Sequence, residues 1–202
     1  MKRILRDSPW AKVVVVPYTP FVFSGEQIEH GPTLQIGKVP YDPGRDPMAV
    51  PDAQTRIWQP DGVFILRWQS ARTIRRALYR QEVLKGQKAR PEPEPGDYQL
   101  LLVNDTPFPL RGVDTADLER NTSLTLKRAG RRLVPTRVEY FRDPSDGRIL
   151  GFVFHFARTL ASGEPVIRTN EDTIEFLCQI GPRVFRAKFD TRKMVSREGQ
   201  DL

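Results

Sequence analysis

Few residues in this 202-residue chain can do chemistry: it holds two histidines and one cysteine. His155 stands between Phe154 and Phe156 in a stretch of alternating aromatics, so its ring projects to the other face of a strand. A carboxylate reaching it from a neighbouring strand would make it a general base or a metal ligand. The competing reading is a hydrogen-bonded histidine on the polar side of an amphipathic strand, and no serine, aspartate and histidine spacing argues against it. Cys178 alternates with Ile174, Phe176 and Ile180, which predicts a small buried hydrophobe and not a reactive thiolate. A lone cysteine forms no internal disulfide, and His30 with His155 makes no zinc site unless carboxylates complete it. No structural metal, no cofactor and no catalytic residue is assigned from this inventory.

The acidic candidates are two. Asp143-Pro-Ser-Asp-Gly147 brings two carboxylates into a tight turn, a weak calcium site or a plain hairpin turn; it lacks the ligand alternation and closing glutamate of an EF-hand loop. Glu171-Asp172 enters a strand without the partner that would mark an acid and base pair. Gly130 and Gly147 are isolated turn glycines, so there is no phosphate-cradling loop. The densest basic region is Arg72, Arg75, Arg76 and Arg80, flanked by Arg67, Lys85, Lys88 and Arg90; it is either a solvated face or a site for nucleic acid or another anionic surface. Tyr79 is the one aromatic interleaved there, thin support for base stacking. Trp10, Trp58 and Trp68 form either a ligand-binding surface or core anchors.

The elements that must position these residues are mostly strands. Eighteen prolines exclude long helical bundles, and 32 basic against 25 acidic residues give a net charge of +7, which attracts anionic partners without naming one. No run of about 18 apolar residues occurs, so no transmembrane helix is expected. Strands are predicted over Val13–Val16, with Phe21–Phe23 as an extension, and over Val63–Gln69, whose apolar start implies burial on both faces. Ser70 is placed to cap a helix over 71–85, with Ala71, Ile74 and Leu78 inward and Gly86 ending it. Further strands follow over 98–104, 123–128, 133–142, 148–158, 173–180 and 184–190, with a helical turn at Thr115–Arg120. Short turns between them require antiparallel pairing. The expectation is one mainly β domain with one amphipathic helix, α+β remaining open, arranged as an antiparallel twisted sheet or a two-layer β-sandwich. A Pro- and Gly-rich surface loop over 26–62 and a Pro/Glu linker over 87–97 interrupt it.

Asp7-Ser-Pro-Trp-Ala-Lys12, Leu66-Arg-Trp-Gln-Ser-Ala71, Leu124-Thr-Leu-Lys-Arg128 and Glu175-Phe-Leu-Cys-Gln-Ile-Gly181, followed by Lys188-Phe and Lys193-Met-Val195, resemble uncharacterised exported proteins of acidobacterial type, loosely associated with GWxTD-domain proteins. The likeness runs from about Ile4 to Val195, and this chain has no Gly-Trp-x-Thr-Asp motif. It implies a periplasmic or secreted location, although the chain carries no signal peptide and begins six residues before Asp7, as a processed, truncated or misassigned start would. The function expected is a non-enzymatic protein-binding or structural module, its partner another protein or a larger assembly. Tyr41, Met48, Val50, Ile57 and Trp58 in the long loop are the expected partner contacts. The alternatives are anion binding through Arg72, Arg75, Arg76 and Arg80, or a hydrolase uniting His155 with carboxylates from separate segments.

Overall fold

Period-two alternation organises the chain into antiparallel sheets. The computed structural model describes residues 2–16, 62–88, 93–105, 113–181 and 183–202. The chain divides into two units, residues 1–16 with 62–202 and residues 17–61, and the architecture described is that of the first. Helix α1 (Lys2–Arg6) leads into β1 (Ala11–Val16); β2 (Gly62–Trp68), β3 (Asp97–Asn104), β6 (Arg137–Arg142) and β7 (Ile149–Ala157) complete a five-stranded sheet in the order β1-β2-β3-β7-β6. The second sheet has four strands in the order β5-β4-β8-β9, from β4 (Thr122–Leu126), β5 (Arg131–Leu133), β8 (Thr173–Ile180) and β9 (Arg183–Asp190). A small hairpin of β10 (Val195–Ser196) and β11 (Gly199–Gln200) follows. Every pairing is antiparallel, so the mainly β, two-layer expectation holds.

The layers meet through alternate residues. Phe64, Leu66 and Trp68 on β2, Leu100 and Leu102 on β3, and Phe152, Phe154 and Phe156 on β7 are wholly buried. Facing them are Leu124 and Leu126, Ile174, Phe176 and Cys178, and Phe185 and Phe189. Edge-to-face ring pairs join the sheets: Phe64 with Phe185 at 4.8 Å, Trp68 with Phe189 at 5.4 Å and Phe154 with Phe176 at 5.3 Å between centroids. The positive ring edge meeting the negative ring face favours this geometry over flat stacking. Strand β2 differs from its expected two-sided burial: Val63, Ile65 and Arg67 alternate as half-buried residues on the outer face.

Two local expectations are corrected. The segment 133–142 is not one strand. Pro135 has no amide hydrogen and a fixed φ, and the chain leaves β5 in the four-stranded sheet there and enters β6 in the five-stranded one. Helix α2 (Arg72–Leu84) is not capped by Ser70: Ala71 occupies the cap position without a side-chain bond. The first free amides go instead to Asp201, whose carboxylate oxygens accept from Arg72 N at 2.6 Å and Thr73 N at 3.0 Å. Ile74 and Ala77 form the buried stripe of α2, and Gly86 at φ +74° closes it by donating to Val83 O at 3.0 Å. Helix α3 (Thr115–Asn121), capped by Asp114, buries Leu118 and touches both β6 and β8.

Gly151 marks a tight crossing. A Cβ there would stand 2.8 Å from Cζ of Phe141 and closer still to the main-chain oxygen of Leu102, with which β7 pairs. Backbone oxygen cannot swing aside as a side chain can. Gly151→Ala is therefore expected to cost about 1–3 kcal/mol and to lower the midpoint of thermal unfolding measured by circular dichroism; an unchanged midpoint would refute this reading of the crossing.

Candidate functional site

The register of the five-stranded sheet builds a polar cluster around His155. On the outer face, Gln99 of β3 and Arg137 of β6 are its direct cross-strand neighbours. Asp97 lies one step along β3, and its Oδ2 is 2.5 Å from His155 Nδ1 while Gln99 Nε2 donates to its Oδ1 at 3.0 Å. On the other side Arg137 Nη2 is 3.4 Å from Nδ1 and 3.5 Å from Nε2, and it pairs with Glu139 at 3.1 Å. Glu139 Oε1 is 3.7 Å from His155 Nε2. The carboxylate approach conceived from the sequence is thus present, since Asp97 can hold the proton on Nδ1 and leave Nε2 as acceptor.

What surrounds Nε2 decides the chemistry of that pair. Glu139 and Arg137 occupy its side, the imidazole is 4% exposed, and the Thr136 hydroxyl donates to the main-chain oxygen of His155 at 3.2 Å. Cys178 lies at 0% exposure on β8, in the opposite sheet. The cluster therefore has the orientation of a general base, and the partners described at Nε2 are Arg137 and Glu139, neither of them a nucleophile. Its evident work is cross-strand: five side chains from β3, β6 and β7 satisfy one another.

The other candidates turn inward or close on themselves. Asp143 Oδ1 accepts from Ser145 N at 2.8 Å and Ser145 Oγ at 2.5 Å, and Asp146 Oδ1 accepts from Arg148 N at 3.0 Å. The Ser145 bonds hold the Asp143 carboxyl below its usual range, as an Asx turn does. Glu171, which the sequence pairs with Asp172, is buried at 3% exposure; it accepts from Arg128 N at 2.8 Å and Ala129 N at 3.1 Å. It ties the β4–β5 hairpin to the chain entering β8, a contact across 43 residues that local sequence gives no means to read. Among the described residues no three His, Cys, Asp or Glu side chains converge as metal ligands.

The basic helix is partly spent on its own fold. Arg72 pairs with Glu198, Arg76 Nη2 lies 3.4 Å from the same carboxylate, and Arg75 Nε donates to Ser70 O at 3.2 Å. Arg80 projects from the exposed side. Trp68 is in the core and Trp10 donates its indole hydrogen to Asp201 O at 2.8 Å, so these two form no common surface. Tyr41, Met48, Val50, Ile57 and Trp58 lie outside the described residues. Exposed apolar groups do gather elsewhere. Of eleven large exposed apolar side chains among the described residues, six are Ile4, Val13, Val15, Tyr79, Val83 and Leu84. They sit on α1, β1 and α2, and α1 touches both of the others. Val13 and Val15 belong to the valine run, where β-branched preference signalled a strand but not that its outer face stays open.

Comparison with protein-family models, with curated proteins and with solved structures found no match to this chain.

Two outcomes are expected from this geometry. Burial pushes the Cys178 thiol up to about 12, so it stays protonated at neutral pH; a maleimide should label the native protein slowly and the denatured protein at once, and fast native labelling would overturn its place in the core. Asp201→Ala leaves two helix amides without their acceptor and should cost about 0.5–2 kcal/mol, seen as a lower urea midpoint with an unchanged slope. An Asp201→Ala protein as stable as the parent would show that the cap contributes nothing.

Proposed function

We propose that this protein is a binding module that docks onto another protein through α1, β1 and the exposed side of α2. The observation that carries it is the concentration of six exposed apolar side chains on three elements in contact. Leu84 is 77% and Val15 55% exposed, whereas scattered single apolar residues would need no explanation. Arg80 stands one turn before Val83 and Leu84 on the same helix, so a suitable partner presents an apolar face with an acidic rim. A periplasmic or secreted location belongs to the same proposal and rests on the resemblance to exported proteins.

The reading is non-enzymatic because the one histidine-carboxylate pair described is enclosed by Arg137 and Glu139 and is used up in cross-strand bonding. Photo-crosslinking amino acids at Val15 and Leu84, placed in the protein inside its native cells, should each capture the same protein, and Val83→Asp should abolish both captures without altering the melting curve. Equal capture from Ser145 on the β6–β7 turn, or none from either position, would refute the proposal.

A further inference from the structure

The outer face of the four-stranded sheet carries more basic than acidic side chains. Register places Arg132 of β5, Thr125 of β4, Glu175 of β8 and Lys188 of β9 in one row across the sheet. Arg186 follows on β9 opposite Leu177, and Lys127 extends β4 beside Thr173, to whose oxygen its amide donates at 3.1 Å. These residues face away from the core, because their neighbours Leu124, Leu126, Ile174, Phe176, Ala187 and Phe189 fill it.

Glu175 is the single carboxylate among them. Lys127 pairs with it, and Arg186 Nε lies 3.9 Å away. The Lys127 hydrogen bond, then the charges of Lys127, Lys188 and Arg186, hold its carboxyl below the usual range. At the end of the same face Asp190 holds Arg192 at 2.9 Å and Lys193 at 3.7 Å. Six cations thus stand against three carboxylates, Glu175, Asp190 and Asp172, whose charge also acts on Arg192; the surplus is three within a chain whose whole net charge is +7. Arg132 and Lys188 have no carboxylate at ion-pair distance among the described residues.

We propose that this face binds an anionic lipid bilayer. Its cations span the four-stranded sheet from β5 to β9, about 15 Å at the usual strand spacing, and are not gathered round a recess that would hold a single phosphate. The one large apolar side chain exposed on these strands is Val184, so there is no aromatic platform on which unpaired bases would stack. A broad array of long, mobile cations fits a surface of diffuse negative charge, where each basic residue adds a comparable increment of attraction. These cations stand on or beside β4, β5 and β9, whereas the proposed protein-docking corner lies on α1, β1 and α2.

Co-sedimentation of the full chain with vesicles tests it. Vesicles with about 30% phosphatidylglycerol in phosphatidylcholine should bind the protein at ~50 mM salt and release it at ~500 mM, because the Debye length falls from over 10 Å to about 4 Å. Arg132→Gln with Lys188→Gln should weaken that binding about 25-fold, roughly fivefold for each cation removed. Arg120→Gln with Arg148→Gln removes the same two charges elsewhere and should weaken it less than about fivefold. Thermal melts of both double variants are expected to match the parent. Equal losses from the two double variants, equal binding to pure phosphatidylcholine, tighter binding to a short DNA duplex than to the vesicles, or a larger loss from Arg75→Gln with Arg80→Gln would each overturn the proposal.

Discussion

The aromatic seam between the two sheets is the contact on which the rest of the molecule depends. Phe64, Trp68 and Phe154 from one layer meet Phe185, Phe189 and Phe176 from the other edge to face. Truncating a buried ring to a methyl costs about 3–5 kcal/mol, while a whole domain is stable by only about 5–15 kcal/mol. One lost ring is therefore a large fraction of the total. Because the seam fixes which face of every strand points inward, it also fixes what remains outside: the His155 cluster on one sheet and the basic rows on the other.

Several chain ends and turns are held by carboxylates that come from far along the sequence. Asp201 completes the first turn of α2, and its main-chain oxygen takes the Trp10 indole hydrogen. Glu171 does similar work for the β4–β5 hairpin by accepting from two consecutive amides. A carboxylate held by amides is a charge-assisted acceptor in a favourable place, at a helix start or in a turn. These acids are structural although their type and burial resemble those of catalytic groups. The distinction is visible in their partners: each spends its oxygens on the backbone.

Charge is distributed with less symmetry. The arginines of α2 are partly engaged by Glu198 and by the Ser70 carbonyl, while Arg132 and Lys188 on the four-stranded sheet face solvent. A basic run in a helix is conspicuous in a sequence. Cations dispersed over residues 127 to 193 are not, and only the hydrogen-bonded register assembles them. The apolar groups of α1, β1 and α2 show the same effect, since Ile4, Val15 and Leu84 share no local pattern.

By itself the sequence determined the antiparallel, mainly β architecture, the limits of most strands, the position of α2 and the burial of Cys178. Each rests on nearest-neighbour physics: period-two alternation, β-branched and aromatic preference, and turn residues that act within a few positions. Only the tertiary structure decided that Asp97 reaches His155, that Asp201 and not Ser70 caps α2, that the chain changes sheets at Pro135, and which cations share a face. Those outcomes join residues tens to more than a hundred positions apart, and their geometry is set by strand order and register, which alternation leaves free.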